Sequence, residues 1–131
     1  MKEVSLIILR NNHRLLMYLR DDKPSIPFPN YWSLIGGGIE KNETPYEALN
    51  REIQEEINSK IENIVKIHEL IDDIGSKIFL FRGDISEEIR DINLTEGQRL
   101  GYFTLQEFRD LKVPPVIKKY ILDNHRELFK I

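Results

Sequence analysis

The chain has 131 residues, 40% hydrophobic and 31% charged, with a formal net charge of −3 and no cysteine. This balance fits a folded protein with a sizeable core, expected as a single domain over residues 1–131. It excludes disulfides, thiolate nucleophiles and Cys-ligated zinc, and it supplies no long basic run for a nucleic acid or an anionic membrane. Apolar runs such as residues 4–9 are too short to span a bilayer. The N-terminal stretch lacks the long apolar segment and cleavage site of a signal peptide, so a cytoplasmic location is expected.

Residues 3–20 read as two strands around a turn at Asn11-Asn12. Residues 21–31 hold three prolines and read as irregular loop. Trp32 to Ile35 forms a short strand, expected to stop at Gly36-Gly37-Gly38. Thr44 opens a helix running to about Ile57. Thr44 and Glu47 have the spacing of a capping box, and Pro45 occupies the first helical position, where its missing N–H costs nothing. Asn58 suits the left-handed residue that ends such a helix. Two strands follow in 61–72 and 77–85, with a turn at Gly75-Ser76, then a polar loop over 86–97 and a short strand over 98–103. A second capping box, Thr104 with Glu107, precedes one terminal helix starting at Pro114-Pro115. The sum is a mixed α/β fold whose longest helix lies between strand runs.

That helix carries the chemistry. At 3.6 residues per turn, Tyr46, Leu49, Ile53 and Ile57 form an apolar stripe, and Glu52, Glu55 and Glu56 share a face beside it. Like charges at i, i+4 late in a helix oppose one another and the macrodipole. Arg51 can pair with Glu55 but cannot neutralise three carboxylates. The pattern fits either a solvated acidic face or a site for a hard divalent cation, Mg²⁺ or Mn²⁺, since oxygen ligands stand without His or Cys partners. The three glycines just upstream allow close approach of backbone to a ligand. A glycine-rich turn with clustered carboxylates suggests a metal-bridged phosphate, but not a P-loop, whose Lys-Ser/Thr ending is missing.

Gly37 is followed after five residues by Glu43, and after seven more by Arg51-Glu52-Ile53-Gln54-Glu55-Glu56. This spacing resembles the box of the Nudix hydrolases, Gly-x5-Glu-x7-Arg-Glu-apolar-x-Glu-Glu-x-Gly-apolar. The resemblance departs at Asn58, where the family usually has glycine, at Ser59, whose packing Ile61 is expected to take over, and at Ile35, which replaces a frequent proline. It implies a Nudix-type α/β/α sandwich with a mixed central sheet. It also implies Mg²⁺-dependent hydrolysis of a nucleoside diphosphate linked to another moiety, with a small nucleotide as partner; a monomer or homodimer is expected as the working form. Carried over, Glu52, Glu55 and Glu56 ligate Mg²⁺ (Mn²⁺ as the substitute), and the Gly36 carbonyl adds a ligand. Arg51 orients the glutamates, Glu43 braces the loop, Gly37 and Asn58 shape the motif, and Glu52 is first choice for activating water.

The stretch from Glu96 to Phe108 is similar to the part of the MutT branch that supplies an additional metal-binding glutamate, here Glu96; Glu87 and Glu88 are weaker candidates. Arg20 falls where the family places a substrate-contacting arginine. Phe28, Tyr31 and Trp32 flank the proline-rich loop and either stack on a base or anchor the loop. The MutT-branch asparagine that reads oxidised guanine has no counterpart near Val113. The proline or tyrosine marking some ADP-ribose and diadenosine polyphosphate hydrolases is missing from residues 72–76. A (deoxy)nucleoside triphosphate is the expected substrate, with a nucleotide sugar as the alternative. A non-catalytic nucleotide sensor and an acidic interaction module are the rivals from other classes. His13, His68 and His125 are scattered and read as structural or exposed.

Overall fold

A computed structural model describes residues 1–130 of the chain. Strand β1 (Glu3–Asn11) turns through Asn12, at φ 57°, into β2 (Arg14–Leu19), and the two pair antiparallel only over Leu9↔Leu16 to Asn11↔Arg14. Beyond this the strands splay, and residues 32–38 fill the wedge between them. Its first half, β3 (Trp32–Ser33), pairs with β2, and its second half, β4 (Ile35–Gly38), pairs with β1. On the other edge of β1 runs β6 (Lys77–Asp84), parallel to it from Glu3↔Lys77 to Arg10↔Asp84. β5 (Glu62–Ile71) lies antiparallel outside β6, and β7 (Arg99–Phe103) lies antiparallel on β2. The sheet is therefore mixed.

The glycines do not stop the strand, as the sequence suggested. They are the strand: Gly36, Gly37 and Gly38 pair with Leu6, Ser5 and Val4. At Gly36, with φ 141°, a Cβ would stand 2.1 Å from the Ser5 carbonyl oxygen, so only glycine admits this close pairing.

Helix α1 (Pro45–Glu56) covers one face of the sheet, and α2 (Leu105–Arg109), α3 (Pro115–Asp123) and α4 (His125–Leu128) cover the other. Alternation along β1 feeds both layers. Ile7 and Leu9 pack with Leu16, Ile35, Leu49, Ile53, Ile57 and Phe81, whereas Ile8 packs with Met17, Leu34, Leu80, Phe108, Ile117 and Ile121. The result is an α/β/α sandwich.

Both capping boxes form as the spacing predicts. Two expectations need correction. Tyr46 is half exposed, lying against the Phe81 ring at 6.4 Å, and Ala48 is buried in its stead. The terminal helix is not continuous. Asn124 leaves the helical conformation, at φ −115° and ψ 23°, while its N–H and its side-chain Nδ2 both donate to the Tyr120 carbonyl, closing α3 before α4 begins.

Candidate active site

Ser5, fully buried on β1, donates its hydroxyl to the Pro45 carbonyl at 2.7 Å and pins the start of α1 over the glycine strand. From there α1 and β4 run side by side, and three consecutive glycines each meet one side chain of the helix. The Gly36 N–H donates to Glu56 Oε2 at 3.2 Å. The Glu52 carboxylate lies so close over Gly37 that a Cβ there would stand 2.6 Å from its carbon. Arg51 Nη2 donates to the Gly38 carbonyl at 3.0 Å.

Arg51 is the organising cation. It holds Glu43 through two hydrogen bonds and Glu52 Oε1 at 2.9 Å, and reaches Glu55 Oε2 at 3.5 Å. Glu43 in turn accepts from the Glu40 N–H, closing the loop ahead of the helix. The hydrogen bonds from Arg51, then that backbone N–H, hold the Glu43 carboxyl below the usual carboxylate range, and Glu43 keeps Arg51 firmly charged. Asn58, at φ 45°, adopts the left-handed conformation just beyond the helix. Ser59 is buried and bonds the Ile57 carbonyl, while Ile61 packs into the α1-side core.

The three box glutamates differ in environment. Glu55 is 60% exposed at its side chain, Glu52 is 15% exposed, and Glu56 is 4% exposed overall. Burial drives the Glu56 carboxyl far above the usual carboxylate range, opposed by the Gly36 N–H and reinforced by the negative charges of Glu52 and Glu96.

Glu96 comes to this place through Thr95, a residue the sequence does not mark. The Thr95 N–H donates to the Glu56 carbonyl at 3.0 Å and its hydroxyl to the Glu55 carbonyl at 2.6 Å, capping the C-terminal end of α1. Gly97, at φ 80°, then packs on Tyr18, where a Cβ would stand 2.6 Å from the ring. The Glu87 backbone carbonyl accepts from the Tyr102 hydroxyl at 2.6 Å.

A cleft of about 220 Å³ opens on the far side of the glycine strand, with Tyr18, Arg20, Phe28, Gly36, Gly37 and Gly38 in its wall. Arg20 Nε donates to the Pro27 carbonyl at 3.0 Å and Nη1 to the Tyr18 hydroxyl at 3.2 Å. Phe28, at φ 52°, faces Tyr31 at 5.1 Å between centroids. Trp32 is not brought to the cleft. It packs edge-on against Phe103 at 4.8 Å, under the Arg99 guanidinium, as a core anchor. Tyr18 is the second residue unmarked by motif reading, although period-2 alternation places it on the same strand face as Arg20. Burial pushes its hydroxyl up to about 12, against the pull of Arg20 and with the charges of Glu56 and Glu96 adding to the rise. The histidines lie elsewhere: His68 stacks on Tyr120, and His125 Nδ1 lies 2.8 Å from the Leu122 carbonyl.

Among the described residues, no three His, Cys, Asp or Glu side chains already stand in a ligating cluster, and Arg51 holds both Glu52 and Glu55. The donor set nonetheless suits a hard divalent cation. Glu56 is a nearly buried carboxylate whose neighbours Glu52 and Glu96 are both acidic, an arrangement that costs free energy until a positive charge enters it.

Residues 1–123 match the family profile described as NUDIX domain. Among curated proteins, the nucleoside triphosphatase NudI of Enterobacter sp. (strain 638) is 42% identical over 74 residues, covering 56% of this chain and 51% of that protein. NudI of Klebsiella pneumoniae (strain 342) is 42% identical over 55 residues, 42% of this chain and 38% of the relative. The chain thus spans about half or less of the curated relatives it matches. The fold matches solved structures of low identity. A NUDIX hydrolase from Nitrosomonas europaea has a TM-score of 0.72 at 23% identity, over 96% of this chain and 73% of that one. A MutT protein from Methanosarcina mazei Go1 has a TM-score of 0.73 at 19% identity, over 96% and 94%. With its box glutamates, its glycine strand and this match along most of its length, the chain belongs to the NUDIX family.

Proposed function

We propose that this protein is a Mg²⁺-dependent pyrophosphohydrolase that cleaves a diphosphate bond of a (deoxy)nucleoside triphosphate. The observation that carries the reading is the near-buried Glu56 carboxylate, flanked by Glu52 and Glu96, one strand away from a cleft walled by Arg20 and Phe28. The name of the curated relatives, nucleoside triphosphatase, supports the same substrate class.

Glu52, Glu55, Glu56 and Glu96 are the residues that would hold the metal, with the Gly36 carbonyl as a further ligand. When bound, the divalent ion supplies neutralisation of the diphosphate charge and a lowered pKa for the attacking water. Arg51, locked by Glu43, fixes the orientation of Glu52. Glu52 stands over Gly37 as the carboxylate that takes the proton from water. Arg20 presents a guanidinium to phosphate oxygens, and Phe28 offers a ring face to the base. Catalysis is mainly positioning and charge stabilisation.

The test is incubation of the purified protein with NTPs, dNTPs, nucleotide sugars and dinucleotides, with and without Mg²⁺, beside Glu55→Gln and Glu56→Gln. Pyrophosphate release from a triphosphate, lost without Mg²⁺ and in the variants, is the expected result. Full activity in both variants, or no cleavage of any diphosphate compound, overturns the reading.

A further inference from the structure

The carboxylate cradle and the cleft are two compartments on either side of the glycine strand, and a nucleotide with its phosphates in one and its base in the other must cross the boundary between them. Tyr18 stands at that boundary. It lines the cleft beside Gly36 and Arg20, and Glu56 and Glu96 are near enough to act on its hydroxyl electrostatically. Its position is built from three directions. β2 pairs it with Ser33 on one side and Leu100 on the other, and Gly97 closes on the ring. The Tyr18 oxygen accepts from Arg20 Nη1, and among the described residues no acceptor takes the phenolic proton. The Arg20 backbone is itself fixed, its N–H donating to the Tyr31 carbonyl at 2.8 Å and its carbonyl accepting from Gln98 Nε2 at 2.7 Å. A donor held in place with its proton unspent, beside a cation and in the wall of a cleft, has the chemistry to bind a phosphate oxygen that enters there.

We infer that the Tyr18 hydroxyl is a substrate-positioning donor, giving its hydrogen bond to a phosphate oxygen of the bound nucleotide beside Arg20. The inference rests on the proposed function for its substrate class. Tyr18 on this reading touches substrate but moves no proton in the reaction. It contacts the phosphate itself and does not act only through Arg20, so part of its effect persists when Arg20 is replaced, although the hydrogen bond between the two couples them.

Tyr18→Phe keeps the ring on Gly97 and removes only the O–H, so the fold is retained, as an unchanged thermal transition and Trp32 fluorescence would register. The probe is inorganic tripolyphosphate with Mg²⁺, measured by calorimetry, which needs no turnover. A lost hydrogen bond to a charged group is expected to weaken this binding about 10-fold or more, with Mg²⁺ binding alone unchanged. A loss that is clearly present, though altered in size by the Arg20–Tyr18 contact, is expected in an Arg20→Gln background. Equal tripolyphosphate affinity in wild type and Tyr18→Phe overturns the inference, as does an absence of binding by either protein. So does an effect of Tyr18→Phe that vanishes in the Arg20→Gln background, which would make the hydroxyl a support for Arg20 only. So does a matching loss of Mg²⁺ binding, which would place it in the cradle. If tripolyphosphate binds as described but no nucleotide is hydrolysed, the proposed activity fails while the phosphate contact stands.

Discussion

Arg51 grips Glu43 with a fork of two hydrogen bonds, Nε to Oε2 at 2.7 Å and Nη2 to Oε1 at 3.0 Å. Because Nη1 of the same guanidinium holds Glu52 at 2.9 Å, the loop before α1 and a carboxylate on α1 are positioned by one planar group. A lysine, with a single point charge on a flexible stem, does not reproduce this fork.

This pair sets a pH dependence. The folded-state pKa of Glu43 is depressed by Arg51, so its contribution to stability is present above the unfolded value of about 4.3 and is lost as pH falls through the lower folded value. Thermal unfolding of wild type and Glu43→Gln across that range checks it. The gap in Tm is expected to be full near neutrality and to shrink steadily below about pH 4. A gap independent of pH would show that the charged pair contributes nothing.

Gly37 is where backbone and chemistry meet most tightly. In Gly37→Ala the new methyl stands 2.6 Å from the Glu52 carboxylate, which must move because the strand cannot. The displaced group is the end of a flexible side chain, so the melting temperature is expected to change little. Turnover, in contrast, is expected to fall roughly 100-fold, the scale of an ångström-level misplacement of a catalytic group. Steady-state kinetics beside calorimetry separates the two. A variant that kept wild-type kcat would remove Glu52 from its proposed role.

Glu56 is a nearly buried carboxylate that lacks a cation partner when no metal is bound. In metal-free buffer near neutral pH, Glu56→Gln is therefore expected to be the more stable protein, by about 1 kcal/mol or more. Added Mg²⁺ is expected to raise the Tm of wild type and to leave that of the variant nearly unchanged. Identical Mg²⁺-induced shifts in the two proteins would count decisively against Glu56 as a ligand.

Helix α3 begins at Pro114-Pro115 without a capping side chain of its own. Asp73, in the turn between β5 and β6, supplies the missing acceptor by taking the Val116 N–H at 3.3 Å. Asp73→Ala is expected to cost about 0.5–1 kcal/mol in urea unfolding, and Asp73→Asn clearly less. If both variants match wild type, the contact has no energetic role.

Much of this protein was legible without coordinates, because the relevant physics is local. The Thr44–Glu47 and Thr104–Glu107 boxes close over three residues, the left-handed Asn58 follows from its tolerance of positive φ, and the turn at Asn12 follows from the same property. The box spacing from Gly37 to Glu56 places Glu52, Glu55 and Glu56 beside the buried face of one helix by period alone. Tertiary structure decided what those residues meet. Whether three glycines end a strand or form one depended on the wedge between β1 and β2, which no local pattern encodes. Burial divided three glutamates of one face into exposed Glu55 and enclosed Glu56. Thr95, some 40 residues along the chain, brought Glu96 to them. Trp32 went to the core and Tyr18 to the boundary of the cleft because strand pairing fixes which face each side chain takes. Helix periodicity specifies which carboxylates stand together, and only the packing of helix on sheet specifies how far each is removed from water.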